Sequence, residues 1–417
     1  MNAKPIWSPP PRPDWVRQVN SEATYQNLNA LVPLNADELL ETAQRVTGLT
    51  DFGPSDGWED GLSAFVSSIN EEADLHLMGR IIVRGELLRH LDARLRVEAA
   101  YAANPEIADE KIVAPLVITG LGRTGTTILH EVLMQDERHV APLSWEYMFP
   151  APPPEASTYR TDPRIAACEH IITQTIRVAP TFGAAHERGA LIPQECTYAM
   201  QLCFSSDVLG TCAFVPSYNA WLSQRDMRPV YEYHKRVLKL LQFRNPRERW
   251  LLKSINHFDN LPLLFECYPD AEVVISHRDP IKALASGISM IGTIMWIRSD
   301  KPMEPSMVGH YLEPAPQVAR LNRFMDQLDE GVIPSGQVHN LIYKDLVRDP
   351  AETLRNLYAE IGIPLNDLPL QRMVGFLASK PKEAKGIHVH AEIDDADIQR
   401  HRDLLRRYET RFQVPRG

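Results

Sequence analysis

The sequence has few cysteines, and their spacing fits no common disulfide or zinc pattern. Five cysteines occur in 417 residues, and no two of them form a C-x-x-C pair. An odd number without such a pair fits neither a disulfide framework nor a structural zinc site. The amino-terminal segment MNAKPIWSPPPRPDW carries five prolines, so it lacks the unbroken apolar core of a signal peptide. We expect a protein of the reducing cytoplasm.

Long apolar runs and an excess of positive charge are also missing. The charge-free stretches 208–224 and 283–297 are shorter than the ~20 apolar residues that a membrane-spanning helix needs. Lys and Arg number 44 against 54 Asp and Glu, which gives a formal net charge of −10. Nucleic-acid-binding proteins usually carry the opposite charge. We therefore expect a soluble protein with no membrane span and no nucleic-acid partner.

The amino-terminal part of the chain is predicted to be an extended arm followed by helices. Three consecutive prolines, Pro9 to Pro11, favour an irregular arm over residues 1–34. A helix is expected to begin near Asn35, which can cap it, and a longer one to follow Asn70 and end near Ala103. We assign residues 1–110 to an amino-terminal arm and helical subdomain.

From residue 111 to 417, strand patterns alternate with helix patterns. A short apolar run, 116–119, ends in a glycine loop, and a helical pattern begins at Thr126. Further strands are expected at 250–252, 271–275 and 337–343. Alternation of this kind predicts an α/β fold with a mostly parallel central sheet flanked by helices. A helical, aromatic-rich insertion is expected at about 150–245, inside this α/β domain.

The loop after the first strand has the spacing of a phosphate-binding loop. Its sequence, GLGRTGTT, runs from Gly120 to Thr127 as G-x-x-x-x-G followed by two hydroxyl residues. Backbone amides of such a loop, together with the positive end of the next helix, bind phosphate oxygens. Thr126 stands where a nucleoside triphosphatase has its lysine, and the cation is Arg123 inside the loop. This arrangement suits an anionic donor that needs no bound metal.

A second anion-binding pair follows a later strand. Arg278 comes just after the 271–275 strand, and Ser286 lies eight residues further on, in the first two turns of the next helix. Asp279 is expected to cap that helix, with Pro280 at its first position. A guanidinium fork together with a hydroxyl group makes a suitable clamp for a phosphate.

These two motifs, in this order, resemble those of sulfotransferases that use 3′-phosphoadenosine 5′-phosphosulfate (PAPS), in the bacterial-type branch with an R-x-G-T-T loop. The resemblance implies the P-loop-type sulfotransferase fold and PAPS as donor, with 3′,5′-adenosine bisphosphate as product and no metal required. It implies that Arg278 and Ser286 bind the 3′-phosphate and that Tyr343 packs near the adenine, although Lys344 replaces the usual Glu after that Tyr. The 5′-phosphosulfate would be held by Gly122, Arg123, Thr124, Gly125, Thr126 and Thr127. A basic loop at Lys382 and Lys385 is a weaker match.

The resemblance also implies the catalytic groups. Lys253 ends the second core strand and, with Arg123, would stabilise negative charge on the transferring group. Two residues are candidates for the general base that removes the acceptor's proton. Glu146 comes 23 residues after Arg123 and has aromatic neighbours that can raise its pKa, whereas His257 lies four residues after Lys253. We rank Glu146 first and His257 second, and the alternative for each is a purely structural role.

The acceptor is expected to be a small compound with a hydroxyl group, or an amine, on an apolar body. Aromatic residues of the insertion are candidates for its pocket: Phe182, Tyr198, Phe204, Phe214, Tyr218 and Trp221. Two alternatives remain open, a small-molecule kinase with a degenerate P-loop and a non-catalytic nucleotide-binding scaffold. The sequence leaves the oligomeric state open, a homodimer included.

Overall fold

The computed structural model describes residues 7–180, 182, 188–303, 307, 314–380 and 395–416, without the side chains of 282–286, 314 and 395–398. Within these ranges five strands form one parallel sheet in the order β2-β3-β1-β4-β5. The strands are β1 Leu116–Thr119, β2 His139–Val140, β3 Arg249–Lys253, β4 Glu272–His277 and β5 Val338–Ile342. Helices cover both faces of this sheet, which confirms the α/β fold predicted from the alternating pattern.

The central strand β1 is apolar on both faces because helices pack against both. All four of its residues are buried. Leu116 and Ile118 belong to a core cluster on one face, whereas Val117 belongs to a larger cluster on the other. Neighbouring residues of a strand point to opposite faces, so an unbroken apolar run is the expected sequence of such a strand.

Helices make up most of the remaining described chain. The α-helices span Asp14–Glu22, Leu28–Leu31, Ala36–Thr47, Trp58–Glu71, Leu77–Ala103, Thr126–Leu133, Ser144–Met148, Pro163–Val178, Thr197–Met200, Asp207–Cys212, Pro216–Ser223, Arg228–Gln242, Leu261–Cys267, Pro280–Trp296, Pro314–Asp329, Tyr343–Arg348, Pro350–Ile361, Asp367–Ser379 and Asp395–Phe412. Short 3₁₀ helices span Ala23–Tyr25, Pro105–Asp109, Tyr159–Thr161, Gln201–Cys203, Ile255–Asp259 and Ser335–Gln337. Among these described helices, none has the length and apolar character needed to cross a membrane.

The amino-terminal arm is more ordered than its prolines suggested. The expectation of an irregular arm up to residue 34 is wrong for Asp14–Glu22, which is a helix that buries Val16. Prolines before a helix are compatible with it because the first helical amides have no partner inside the helix in any case. The predicted cap at Asn35 is confirmed, since its side chain accepts a hydrogen bond of 3.0 Å from the Glu38 amide.

The long helix expected after Asn70 is confirmed as Leu77–Ala103, and a further helix, Trp58–Glu71, precedes it. Trp58–Glu71 ends near Asn70, and Leu77–Ala103 begins after a break at which Asp74 has a φ of +49°. The second helix is capped by His76, whose Nδ1 accepts a hydrogen bond of 2.8 Å from the Gly79 amide. The sequence pattern thus located the long helix but not the helix Trp58–Glu71 before it.

The amino-terminal helices share a core with the sheet. One cluster of buried side chains contains Leu87 and Leu91 from the Leu77–Ala103 helix together with Leu252 of β3 and Val273 of β4. The division of the chain at residue 110 stays a prediction. The amino-terminal helices and the sheet therefore form one continuous core.

Two glycines of the Leu77–Ala103 helix allow a matched test of this packing. A Cβ at Gly79 would lie 1.9 Å from the carbonyl oxygen of Arg298, whereas a Cβ at Gly85 meets no atom within 4 Å. We expect Gly79→Ala to lower the free energy of unfolding by about 1–3 kcal/mol because backbone has to move. Gly85→Ala should raise it by about 0.5–1 kcal/mol, since alanine favours the helix. Urea unfolding followed by circular dichroism measures both, and equal effects would contradict the packing.

Candidate active site

The predicted donor-site residues lie at one edge of the sheet. Since the strands are parallel, their carboxyl ends share that edge. The glycine loop follows β1, Lys253 ends β3, Arg278 follows β4 and Tyr343 follows β5. Four separated segments of the sequence are thereby brought to the same place.

The glycine loop has the backbone conformation that its sequence predicts. Gly120 and Gly125 have φ angles of +146° and +95°, and Arg123 has +67°. Thr124 holds the turn from inside, because its hydroxyl donates to the Leu121 carbonyl at 2.8 Å. Gly125 is the amino-terminal cap of the Thr126–Leu133 helix, so the amides of the first helical turn point out of the helix end. Such amides are available to an anion.

Tyr343 packs directly on the glycine loop. A Cβ at Gly125 would lie 2.3 Å from a ring carbon of Tyr343, so only glycine fits beneath the ring. The Arg278 guanidinium lies 5.1 Å from the centre of the same ring and donates a hydrogen bond of 3.2 Å to the Arg123 carbonyl. The structure thus brings together the loop, Arg278 and Tyr343, which the sequence placed in one donor site.

The two arginines of this site form a positive pair. Burial lowers the pKa of Arg123, and the positive charge of Arg278 lowers it further. Neither a hydrogen bond nor an ion pair joins Arg278 to a carboxylate anywhere in the described chain. Two guanidinium groups side by side favour binding of an anion between or beside them.

The helix after Arg278 begins as predicted. The Asp279 side chain accepts a hydrogen bond of 3.1 Å from the Ile281 amide and caps the Pro280–Trp296 helix. Asp279 also accepts from Arg402 at 2.7 and 2.8 Å, which ties the carboxyl-terminal helix to this strand end. The side chain of Ser286 and the segment with Lys382 and Lys385 lie outside the described residues.

Lys253 connects the donor loop to a carboxylate that the sequence analysis did not identify. Its side chain is 4% exposed, and its Nζ donates to the Thr127 hydroxyl at 3.0 Å and to Glu195 Oε1 at 2.6 Å. The Cys196 amide donates to the Lys253 carbonyl at 2.9 Å, so the segment that carries Glu195 is fastened to the end of β3. One ammonium group therefore contacts both the phosphate-binding loop and Glu195.

A second carboxylate, Asp207, lies near Glu195. Its Oδ1 accepts hydrogen bonds from the Thr197 hydroxyl at 2.7 Å and from the side-chain Nδ2 of Asn256 at 2.6 Å. Burial raises the pKa of Asp207, and the negative charge of Glu195 raises it further. No local motif marks Glu195 or Asp207 in the sequence, because each depends on a loop that only the fold brings to β3.

A large apolar cavity extends from these carboxylates. Its volume is about 940 Å³, and Glu195, Asp207 and Ile255 line one part of it. Its walls come mainly from five helices, Ala36–Thr47, Leu77–Ala103, Pro163–Val178, Asp207–Cys212 and Pro280–Trp296. Met290 of the last helix lines the cavity and contacts Arg123, with 4.0 Å between its sulfur and Nη1. The cavity therefore adjoins the glycine loop, and its size suits an organic molecule of several hundred daltons.

The predicted aromatic pocket is only partly correct. Phe182 and Tyr198 line the cavity. Phe204 and Tyr218 are instead fully buried in the main core, and the aromatic ring of Phe214 packs against Lys301. Trp221 packs against the same core. About half of the cavity wall comes from helices outside the 150–245 insertion. The sequence could not show this, because apolar residues that face a cavity and apolar residues that face the core form the same helical pattern.

Glu146, the first choice for the base, is fully buried in an ion pair. Its Oε1 accepts from Arg247 at 2.7 Å, and its Oε2 accepts from the Leu143 amide at 2.8 Å. Burial raises the pKa of Glu146, and the charge of Arg247 opposes that rise. Glu146 is absent from the cavity lining. Its catalytic role stays a prediction, and its surroundings fit a structural carboxylate.

His257, the second choice, lies inside a buried network behind β3. Its Nδ1 is 2.7 Å from the Tyr231 hydroxyl, and its ring is 6.5 Å from that of His234. Burial lowers the pKa of His257 to about 3, with a smaller effect from His234. His257 does not line the cavity either. Its role as base also stays a prediction.

Within the described ranges, no group of three or more His, Cys, Asp or Glu side chains is arranged to hold a metal ion. The cysteines are all unpaired there, and four of the five are buried.

Comparisons with known proteins agree on one family. The model of the sulfotransferase family matches residues 115–367, which is more than half of the chain. An omega-hydroxy-beta-dihydromenaquinone-9 sulfotransferase, Stf3, of Mycobacterium bovis is 28% identical over 284 residues, 64% of this chain and 68% of that protein. The same enzyme of Mycobacterium tuberculosis matches equally well.

Two solved structures are similar over most of the chain. The sulfotransferase STF1 of Mycobacterium tuberculosis is 29% identical, with a TM-score of 0.74 over 89% of this chain and 98% of that one. The sulfotransferase STF9 of Mycobacterium avium is 26% identical, with a TM-score of 0.79 over 91% and 97%. The similarity includes the amino-terminal helices as well as the sheet.

The glycine loop offers a ligand-free test of the site's geometry. Gly125→Ala should lower the free energy of unfolding by about 2–4 kcal/mol, because alanine disfavours the positive φ and its Cβ meets the Tyr343 ring. Gly122 is the control, since a Cβ there meets nothing closer than 3.9 Å. Gly122→Ala should change stability by less than about 0.5 kcal/mol. Denaturant unfolding measures both, and a stable Gly125→Ala protein would contradict the packing of Tyr343.

Proposed function

Because the chain belongs to the sulfotransferase family, we propose that it transfers a sulfuryl group from PAPS to the hydroxyl group of a small acceptor with a large apolar body. The observation that carries this proposal is the position of Lys253, which contacts both the phosphate-binding loop and a carboxylate on the wall of the apolar cavity. Members of this family generally use PAPS as their donor. The site has the two halves that such a reaction requires.

The donor half fits an anion with two phosphate groups. The loop from Gly122 to Thr127 would hold the 5′-phosphosulfate through its amides, its hydroxyls and Arg123. Arg278 and Ser286 would hold the 3′-phosphate, and Tyr343 would lie beside the adenine. The positive pair Arg123 and Arg278 supports this assignment, because each lowers its electrostatic energy when an anion binds. We propose that donor binding requires no metal ion.

The acceptor half supplies a base and a cation. In the proposed reaction the acceptor oxygen forms a bond to sulfur while the bond from sulfur to the 5′-phosphate oxygen breaks. Glu195 would take the proton of the acceptor hydroxyl, since it is the cavity carboxylate in contact with Lys253. Lys253 would stabilise the negative charge that develops on the leaving phosphate oxygen. Asp207 keeps its hydrogen bonds to Thr197 and Asn256 and shapes the same wall.

The cavity favours an extended, mostly apolar acceptor. Its volume of about 940 Å³ far exceeds the need of a simple phenol, and more than half of its lining side chains are apolar. The related mycobacterial enzyme is named for a menaquinone derivative, which is a long apolar molecule with a terminal hydroxyl. We propose an acceptor of comparable size, with its hydroxyl at the end lined by Glu195.

The two alternatives are not favoured. A small-molecule kinase needs a cation at the position of Thr126 to reach the terminal phosphates, and the chain has none there. A non-catalytic scaffold does not account for a Lys253 and Glu195 pair that faces a cavity next to the donor loop.

Calorimetry tests the donor assignment. In the presence of EDTA, the wild-type protein should bind 3′,5′-adenosine bisphosphate at least about tenfold more tightly than AMP, because a charge-assisted contact to the 3′-phosphate contributes about 1.5–3 kcal/mol. Arg278→Gln should reduce this ratio to below about threefold and leave AMP binding similar. Binding of ATP only with Mg²⁺, and no binding of the bisphosphate, would support the kinase instead.

Isosteric variants test the assignment of the base. Glu195→Gln should lower kcat for labelled-sulfate transfer from PAPS to apolar alcohols and phenols at least about 100-fold, because the proton acceptor is lost. Its affinity for adenosine bisphosphate should stay within about threefold. Glu146→Gln should chiefly lower the melting temperature, since it leaves Arg247 buried without its anion. An inactive Glu146→Gln together with an active Glu195→Gln would return the base to Glu146.

A further inference from the structure

We propose that the acceptor carries an acidic group in addition to its hydroxyl, and that Arg89 binds this group inside the apolar cavity. The proposal rests on the proposed function for the hydroxyl end of the acceptor. It adds a second, anionic point of attachment, which defines the class of acceptor as a hydroxylated apolar acid.

Arg89 is a cavity residue without a partner in the described chain. It belongs to the Leu77–Ala103 helix and lines the cavity, yet it makes no hydrogen bond, ion pair or ring contact with any described residue. Glu86 lies one turn earlier on the same helix, but its carboxylate accepts from Arg298 at 2.6 Å. The group of Arg89, Glu86 and Arg298 therefore has a net charge of +1 beside the cavity.

The other groups that line the cavity near this helix do not neutralise Arg89. The next residue, His90, is buried and uncharged, because burial and the charge of Arg89 hold its pKa well below the ordinary value. The other cavity carboxylates have partners of their own, and Asp207 accepts from Thr197 and Asn256 next to Glu195. Asp92 accepts from Arg96 at 2.9 Å, and Glu195 accepts from Lys253 at 2.6 Å. The negative charge that neutralises Arg89 is therefore expected to come from a bound ligand.

An unpaired guanidinium in an apolar cavity is costly unless a ligand compensates for it. Burial lowers the pKa of Arg89, yet arginine remains protonated at neutral pH. A buried charge needs a counter-charge, and a buried ion that lacks its partner is strongly destabilising. Hydrogen bonds from a guanidinium to an oxyanion are also about twice as strong as those to a neutral oxygen. These energies favour a carboxylate or phosphate over a neutral carbonyl group.

A second cavity arginine provides an internal comparison. Arg188 also lines the cavity, but its guanidinium stacks 4.1 Å from the centre of the Phe182 ring. This contact gives Arg188 a structural role that Arg89 lacks. The two arginines can therefore be separated by substitution.

Calorimetry with simple amphiphiles tests the proposal without any need for turnover. The probes are dodecanoate, dodecyl phosphate, methyl dodecanoate and 1-dodecanol, all below their critical micelle concentrations. The wild-type protein should bind one or both anions at least about tenfold more tightly than the neutral compounds of the same length. Arg89→Gln should reduce this ratio to below about threefold, and Arg89→Lys should restore part of it. The carboxylate and phosphate arms show which oxyanion is preferred.

Two control variants make the result specific to Arg89. Arg188→Gln removes another cavity guanidinium, and Arg84→Gln removes a guanidinium of the same helix whose partner, Glu38, does not line the cavity. Both should keep the preference for anions, and circular dichroism should show that all variants are folded. Equal wild-type binding of dodecanoate and its methyl ester would overturn the proposal. So would loss of the preference in Arg188→Gln or its persistence in Arg89→Gln.

Sulfuryl transfer separates this proposal from the proposed function. ω-Hydroxyalkanoates and 1-alkanols of 8 to about 16 carbons are compared as acceptors with labelled PAPS, since the length that spans from Glu195 to Arg89 should show the largest preference for the acid. Anion binding that depends on Arg89, without transfer to any hydroxyl, would refute the proposed function and leave the acid site intact. Equal transfer to acids and alkanols at every length would refute the acid site and support the transferase.

Discussion

The ammonium group of Lys253 is the interaction on which both halves of the site depend. It is almost fully buried, and a buried ammonium needs partners that satisfy its charge and its donors. One partner, Thr127, belongs to the first turn after the glycine loop, and the other, Glu195, belongs to the cavity wall. Movement of either partner would leave the charge less well satisfied. The glycine loop and the cavity wall are therefore held together by one side chain at the end of β3.

The order of the strands explains why the loop lies where a ligand can reach it. β1 is the central strand, with β3 on one side and β4 on the other. The connection after β1 runs to β2 on one side of the sheet, and the connection after β4 runs to β5 on the other, which opens a crevice between the carboxyl ends of β1 and β4. The glycine loop begins in this crevice. Tyr343 then closes one side of it from the end of β5, in contact with Gly125.

The sequence could predict that the residues proposed for the donor half lie together, but it could not identify those proposed for the acceptor half, for a physical reason. Arg123 and Arg278 each follow an apolar strand within a few residues, so a local pattern locates them and parallel strands bring them together. Glu195 follows no strand or motif, and Arg89 occupies a helix position that reads as an ordinary solvated charge. Glu146 has the aromatic neighbours expected around a base, but the fold places Arg247 against it. The ion-pair partner and the exposure of a charged side chain depend on tertiary contacts, which a local sequence pattern does not contain.

Two carboxylates in this protein have similar ion pairs, and access to the cavity decides which of them can react. The Glu146 pair measures 2.7 Å with 0% exposure of the carboxylate, and the Glu195 pair measures 2.6 Å with 24% exposure. A carboxylate can accept a proton from a substrate only if the substrate oxygen reaches it. If the carboxylate is in an ion pair, its cationic partner must also be able to pair with a different anion. Neither Glu146 nor Arg247 lines the large cavity, whereas Glu195 does. Lys253 already contacts the loop proposed to hold the donor, and an anion bound there competes with Glu195 for the ammonium. Our proposal thus requires the ion pair between Lys253 and Glu195 to loosen on donor binding, so that the carboxylate of Glu195 becomes available to the acceptor hydroxyl.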